Sequence, residues 1–353
     1  MHAQKEGIRT KHLHTGFSDK LLPLEPLDIT KCTTVSELVA AMGKTSFGGR
    51  TVGEAADLLC EMIRDKDCFV VGTFAGAMTV AKMGLLICEM IDRGMIHAIV
   101  STGALMAHGF NESRGAAHFK YDPYMSDKEL FEKGYDRVYD SLELEKSLDD
   151  TGKIVQHVLD KVDPNTVMSS VKFHELLGKW LVDNTKGRGI LKSAYLKKVP
   201  VYVPAFTDSE LGIDVGVYNR KRALQGKKPL VFDAIEDMTH FTDIMSKQKR
   251  IGIFTIGGGV PRNWAQQLGP YLEFMENDMG IKGAFKRYHY AIRICPEPVH
   301  WGGLSGATYS EGVSWGKFVP REEGGKQVEV YNDATIAWPL ILKAVIERLE
   351  KKK

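Results

Sequence analysis

The sequence is poor in several features, and each shortage narrows what the protein can be. Its 353 residues include only five cysteines, Cys32, Cys60, Cys68, Cys88 and Cys295, an odd number with no CxxC pair among them. That argues against a thiolate zinc site or a disulfide framework and points to a reducing compartment. No apolar run is long enough to cross a bilayer without a charge, and none near the start has the form of a secretory signal. A cytoplasmic protein with no membrane partner is therefore expected. Neither sign of charge dominates: 47 Lys and Arg stand against 45 Asp and Glu, a formal net charge of +2. So mild a balance implies no nucleic-acid partner, and the closing Lys351-Lys352-Lys353 run reads as a solvated helix end. The dinucleotide fingerprint GxGxxG is also missing.

What is present is an ordinary globular composition, 43% hydrophobic and 26% charged, on a chain long enough for one large α/β domain. Residues 1–33 are polar and irregular. Thr34 and Glu37 then form a capping box ahead of a short helix ending at Gly43. Residues 1–47 are accordingly expected to be an N-terminal arm with a short helix, and 48–353 a single domain. A second capping box, Thr51 with Glu54, precedes a helix whose apolar face is Val52, Ala55, Leu59, Met62 and Ile63. A strand at 68–71, a helix over 77–93 and a strand at 97–100 make a βαβ unit. Residues 110–198 read as mainly helical, with Asp163-Pro164 as a turn. Apolar strands return at 199–203, 251–256 and 290–294, and a helix over 334–350 closes the chain. Strands alternating with helices predict a Rossmann-like α/β fold, a mostly parallel sheet with helices on both faces.

In such sheets ligands gather beyond the carboxyl ends of the strands. The glycines Gly257-Gly258-Gly259 follow one strand and precede a helix with Pro261 in its first turn, so bare N–H groups there could face a pyrophosphate, or the turn could be glycine-rich for steric reasons alone. Asp208 lies just past another strand and suits a ribose hydroxyl, a cationic amine or a helix cap. The densest constellation is Glu311-Gly312-Val313-Ser314-Trp315-Gly316-Lys317. A lysine nucleophile must be neutral, which requires burial against an apolar wall such as Trp315. An arbitrary Trp-x-Lys, by contrast, is commonly a surface cation lying over an indole. The histidines His108, His118, His240 and His300 show no metal-ligand spacing, so no metal is expected.

The segment from Ser305 through Tyr309, Glu311, Ser314 and Trp315 to Lys317 resembles the active-site signature of the deoxyhypusine synthases, in which a nucleophilic lysine ends a Glu-x-x-Ser-Trp-Gly-Lys run. The resemblance continues in register through Pro204-Ala205-Phe206-Thr207-Asp208, Asp233 to Asp237, Gly257 to Val260, and Tyr331-Asn332-Asp333-Ala334, covering most of the chain from about Gly48 onward. It implies NAD-dependent transfer of an aminobutyl group from a polyamine such as spermidine to an acceptor amine, through an imine on Lys317. By the same resemblance Glu311 and Trp315 join Lys317 as catalytic and amine-binding residues, with Gly302, Gly303 and Leu304 in the substrate loop. NAD contacts fall on Gly76, Ala77, Met78, Thr79, Val80, Ser101, Thr102, Gly103, Asp208, Gly258, Asp333 and Ala334. The resemblance further implies a homotetramer with sites at subunit interfaces, a possible protein-lysine acceptor, and an arm that can cover a neighbour's site.

Departures from the pattern are equally specific. Leu304 and Trp301 stand where the eukaryotic enzymes carry aspartates, Ile213 stands at a further amine-binding aspartate with Asp214 beside it, and Ala107 replaces a glutamate. Asn263 replaces a histidine that assists proton transfer. A polycation in a dry pocket needs carboxylates, so the pattern resembles the divergent prokaryotic branch. Transfer to a free diamine, as in a homospermidine synthase, a plain NAD-dependent amine oxidoreductase, and a nucleotide-binding protein without catalysis are the alternative readings.

Overall fold

The computed structural model describes residues 14–283 and 285–351; the first part of the expected arm lies outside the described residues. Six strands make one wholly parallel sheet: β1 (Cys68–Phe74), β2 (Ala98–Ser101), β3 (Val201–Tyr202), β4 (Arg250–Ile256), β5 (Tyr290–Ile294) and β6 (Lys326–Val330). Their spatial order is β6-β5-β4-β1-β2-β3. The chain thus starts in the middle, builds outward through β2 and β3, then returns to the other side of β1 and builds outward again. That is the doubly wound order of dinucleotide-binding folds, with the reversal between β1 and β4. These two strands are in register from Cys68 opposite Arg250 to Phe74 opposite Ile256.

Central strands buried on both sides need apolar residues at successive positions, and β1 and β4 have them. Val70, Phe74, Phe254 and Ile256 join one core with α1 (Val35–Met42), α2 (Phe47–Arg64) and the C-terminal α8 (Ala334–Glu350), where Trp338 and Ile341 are fully buried. Val71, Ile251 and Ile253 point the other way, onto Ala265, Leu268 and Phe318. Between β1 and β2 lies α3 (Gly84–Asp92), and after β2 comes α4 (Gly103–Ser113). The remaining helices named below are α5 (Glu210–Leu224), α6 (Gly259–Gln266) and α7 (Tyr309–Ser314).

The capping box at Thr34 and Glu37 is formed, and its helix α1 ends against Gly43. Val39 is fully buried in the main core, so this part of the expected arm packs with the domain. The second capping box is not formed. Helix α2 begins at Phe47, and the Thr51 hydroxyl donates to the Gly48 carbonyl inside it. Tertiary packing overrides the poor helix propensity of Gly48 and Gly49. The strand expected at 68–71 runs on to Phe74, because it is paired on both sides by β2 and β4. The helix expected over 77–93 is shortened to α3, and the preceding turn is closed by Lys82 in a left-handed conformation, φ +62°. The helical reading of 110–198 missed a three-stranded antiparallel sheet, Phe119–Lys120, Tyr135–Val138 and Ser141–Leu144, whose strands are too short for periodicity to show. Strand β6 was also missed, since its exposed Lys326 and half-buried residues do not form an apolar run. The strand at 290–294 and the helix at 334–350 match the observed elements residue for residue.

Candidate active site

Because all six strands are parallel, the loops that follow them emerge along one edge of the sheet. At the β1/β4 reversal these loops are tied together: Ala75 N–H donates to the Ile256 carbonyl (3.0 Å), Thr102 N–H to Phe74 (3.1 Å) and the Thr102 hydroxyl to the Gly76 carbonyl (2.6 Å). Gly76, Gly257 and Gly259 have φ of +72°, +75° and +61°, a region closed to most side chains. Gly258 is there for another reason, since a Cβ on it would strike the Ser305 backbone. Helices α4 and α6 both start at this edge without a side-chain cap. Two uncapped N-termini beside a bare glycine turn fit a dinucleotide pyrophosphate.

The expected cofactor residues divide by their surroundings. Gly76, Ala77 and Met78 are at least partly exposed, whereas Thr79 and Val80 are buried and the Thr79 hydroxyl is spent on the Leu105 carbonyl at 3.0 Å. Ser101 is buried at the end of β2, and Gly103 is packed so closely on Ser209 that no Cβ would fit. Asp208 is exposed, and the cap of α5 is Ser209, one residue further on. Asp333 caps α8 by accepting from Thr335 N–H at 2.7 Å, with Ala334 buried beneath it.

Lys317 follows α7 and is fixed from both sides. Thr308 caps α7 by accepting from Glu311 N–H (3.0 Å), and Gly316 turns the chain at φ +67°. Lys317 N–H then donates to the Gly312 carbonyl (3.1 Å), while its own carbonyl accepts from Tyr288 N–H (2.9 Å). The side chain is 9% exposed and lines a cavity of about 220 Å³ with Asn263, Leu304, Ala307, Glu311 and Trp315. Its Nζ donates to Asn263 Oδ1 at 3.1 Å and lies 5.7 Å from the Trp315 ring centroid. Burial lowers the Lys317 pKa, the Arg262 guanidinium lowers it further, and Glu311 opposes both. The ammonium form is therefore less favoured than in a free lysine, the direction that nucleophilic use requires. Glu311 and Trp315 reach the cavity from exposed positions, Trp315 at 63%. Gly302 and Gly303 stay outside that lining, and a Cβ on Gly303 would land on the Glu297 carboxylate.

Sequence reasoning missed the supports of this site. Arg262 on α6, 2% exposed, donates from Nη2 to the carbonyls of Leu304 (3.1 Å) and Ala307 (2.7 Å). Arg293 on β5, 1% exposed, donates to Ser305 (2.6 Å) and Ala307 (2.9 Å) and pairs with Glu329 at 3.2 Å. Glu329 in turn accepts from Tyr309 N–H at 2.6 Å, the first residue of α7. Two buried guanidiniums thus clamp the 304–307 loop against the glycine turn. A signal was available, because a lone arginine inside the apolar strand Tyr290–Ile294 demands buried acceptors. Of the four histidines, His240 bonds Tyr202 at 2.8 Å and His300 is exposed, while His108 and His118 converge on Glu143.

Fold and site together define a doubly wound α/β protein with a largely buried lysine held near the carboxyl edge of its parallel sheet. The model of the deoxyhypusine synthase family matches residues 37–345, and the chain belongs to that family. It is 36% identical over 341 residues to "Probable deoxyhypusine synthase 2" of Methanosarcina acetivorans, covering 96% of this chain and 94% of the relative. It is 31% identical to "Deoxyhypusine synthase-like protein" of Caulobacter vibrioides, covering 90% and 84%. A solved structure from Entamoeba histolytica that carries the deoxyhypusine synthase name superposes with a TM-score of 0.58 at 14% identity, covering 92% of this chain and 97% of that one, and supports the fold. None of the helices among the described residues is long and apolar enough to cross a membrane.

Proposed function

We propose that the protein transfers an aminobutyl group from a polyamine such as spermidine to an acceptor amine, with Lys317 as covalent carrier and NAD as redox partner. The observation that carries this is the burial of Lys317 in a cavity walled by Trp315, with its pKa lowered. Membership of the deoxyhypusine synthase family supports the same chemistry. The Gly257–Gly259 turn and the N-termini of α4 and α6 would hold NAD, whose chemistry there would be to accept a hydride from the carbon next to the donor nitrogen and to return one. Lys317 attacks the oxidised carbon, the donor's remaining amine leaves, and the acceptor amine then displaces Lys317. Asn263 Oδ1, 3.1 Å from Nζ, holds the nucleophile in line. The Trp315 face and the Glu311 carboxylate receive the donor's ammonium groups.

Incubation with NAD and spermidine followed by borohydride should leave an aminobutyl mass adduct on Lys317. Amine oxidation with no adduct would replace this reading by a plain oxidoreductase. Among the described residues Glu311 is the only carboxylate lining the Lys317 cavity, with Leu304 at an expected aspartate position. With one carboxylate to receive cationic groups, the cavity suits an acceptor that brings a single amine, a protein lysine rather than a free diamine. Competition between putrescine and a protein acceptor for the trapped adduct distinguishes the two. The exposed Leu304 and Trp315, which line the cavity, suit coverage by a second subunit of a homotetramer, which sedimentation tests.

A further inference from the structure

Helix α4 begins at the cofactor edge with Gly103 and carries His108 and Asn111 one to two turns further on. His108 Nδ1 meets Glu143 Oε2, and His118 Nε2 lies 3.6 Å from the same oxygen. The three donor atoms lie within 4.8 Å of one another, yet come from a helix, a loop and the strand Ser141–Leu144, which is why no ligand spacing shows in the sequence. Side-chain exposure is 9% for His108, 3% for His118 and 2% for Glu143. His118 Nε2 has no hydrogen-bond partner although it is buried and aimed at the carboxylate. A buried unpaired nitrogen is costly and calls for a ligand.

We infer that His108, His118 and Glu143 bind a divalent first-row transition metal such as zinc, linking α4 to the small antiparallel sheet. Two imidazoles and one carboxylate are a borderline donor set suited to that ion, with water completing the coordination. Metal bonds of about 2.0–2.1 Å place tetrahedral ligands about 3.3 Å apart, near the His118–Glu143 separation. His108 and Glu143, now in direct contact, must part slightly. The surrounding groups complete the pattern of a metal site. Asn111 Nδ2 donates to Glu143 Oε1 at 2.7 Å, leaving Oε2 for the ion. Glu210 Oε1 lies 3.9 Å from the far nitrogen of His108, beyond hydrogen-bond reach, and a small approach would give the carboxylate–histidine–metal arrangement that orients a ligand ring. Lys82 opposes binding. Its Nζ is 2.8 Å from His118 Nδ1, which keeps the ring proton on Nε2, and it also pairs with Glu112 at 3.2 Å. Entry of the metal moves that proton to Nδ1 and leaves Lys82 with Glu112 alone.

The test uses the full-length, tag-free protein, stripped with a chelator and titrated with cobalt(II) and then zinc. One cobalt per chain with ligand-field bands of a four- or five-coordinate nitrogen and oxygen site, displaced one for one by zinc, is the expected result. His118→Ala should abolish stoichiometric binding, Glu210→Gln should weaken it about 10–100-fold, and Lys82→Met should tighten it. Melting curves of the metal-free variants check that each is folded. No stoichiometric cobalt in the wild type, or equal binding by His118→Ala, would overturn the inference and leave the cluster as a hydrogen-bonded strut.

Discussion

Replacing Arg293 by Met tests the clamp on the 304–307 loop. The guanidinium is 1% exposed and makes two bonds to carbonyls and one ion pair. Ala307 keeps a donor in Arg262 after the change, but Ser305 loses the donor that Arg293 supplies, and Glu329 loses its cation while keeping Tyr309 N–H and the Tyr331 hydroxyl at 2.8 Å. One orphaned carbonyl costs about 1–3 kcal/mol, and Glu329, half-buried and left with two neutral donors, adds about 1 kcal/mol more. Arg262→Met should cost less, about 1–2 kcal/mol, because Nε and Nη1 of Arg262 are already buried without partners and their desolvation is relieved. Equilibrium urea unfolding measures both. If Arg293→Met falls within the range of an ordinary surface change, below about 0.5 kcal/mol, or if Arg262→Met is the more damaging, the clamp has been misread.

Other outcomes follow from the same geometry. The rate of borohydride trapping at Lys317 should rise with pH through a midpoint below the usual lysine range, and Arg262→Met should move that midpoint upward by removing a neighbouring positive charge; an unchanged profile would separate Arg262 from the nucleophile. Between its lowered pKa and the ordinary 10.5, the unfolded chain holds more protons at Lys317 than the folded one, so this residue makes stability rise with pH. Urea unfolding of Lys317→Met and the wild type should therefore show the wild type gaining relative to the variant as pH is raised. Trp315→Ala should raise the KM for the amine donor by an amount worth about 0.5–2 kcal/mol, with kcat less affected. Gly258→Ala should destabilise by about 1–3 kcal/mol through overpacking on Ser305, read as a lower urea midpoint.

Long apolar runs made the sheet legible. β5 and α8 were read to the residue because β5 is buried at every position and α8 is bounded by Asp333 and the polar chain end. β1 was cut short because Gly72 looks like a loop residue; only the strands on either side reveal that the Phe74 ring fills the space a side chain would need there. The site was legible where it is contiguous, from Glu311 to Lys317, and illegible where partners meet from distant segments. Asn263 was read only by comparison with a family pattern, and its 3.1 Å contact with Lys317 spans 54 positions. Glu143 gave no signal, since a glutamate in a short, mixed strand is ordinary until two histidines are seen to face it.

The pairing of β1 with β4 joins residues 182 positions apart, from Cys68 and Arg250 onward. A nascent chain that has released only its first half therefore presents β1 with one flank bare. The entropy of closing so long a loop is lost before the pairing returns anything, which slows formation of this contact relative to the nearby β1–β2 pairing. Until Arg250 has left the ribosome, the residues destined for the middle of the molecule present an unpaired strand edge, the kind of border that invites aggregation.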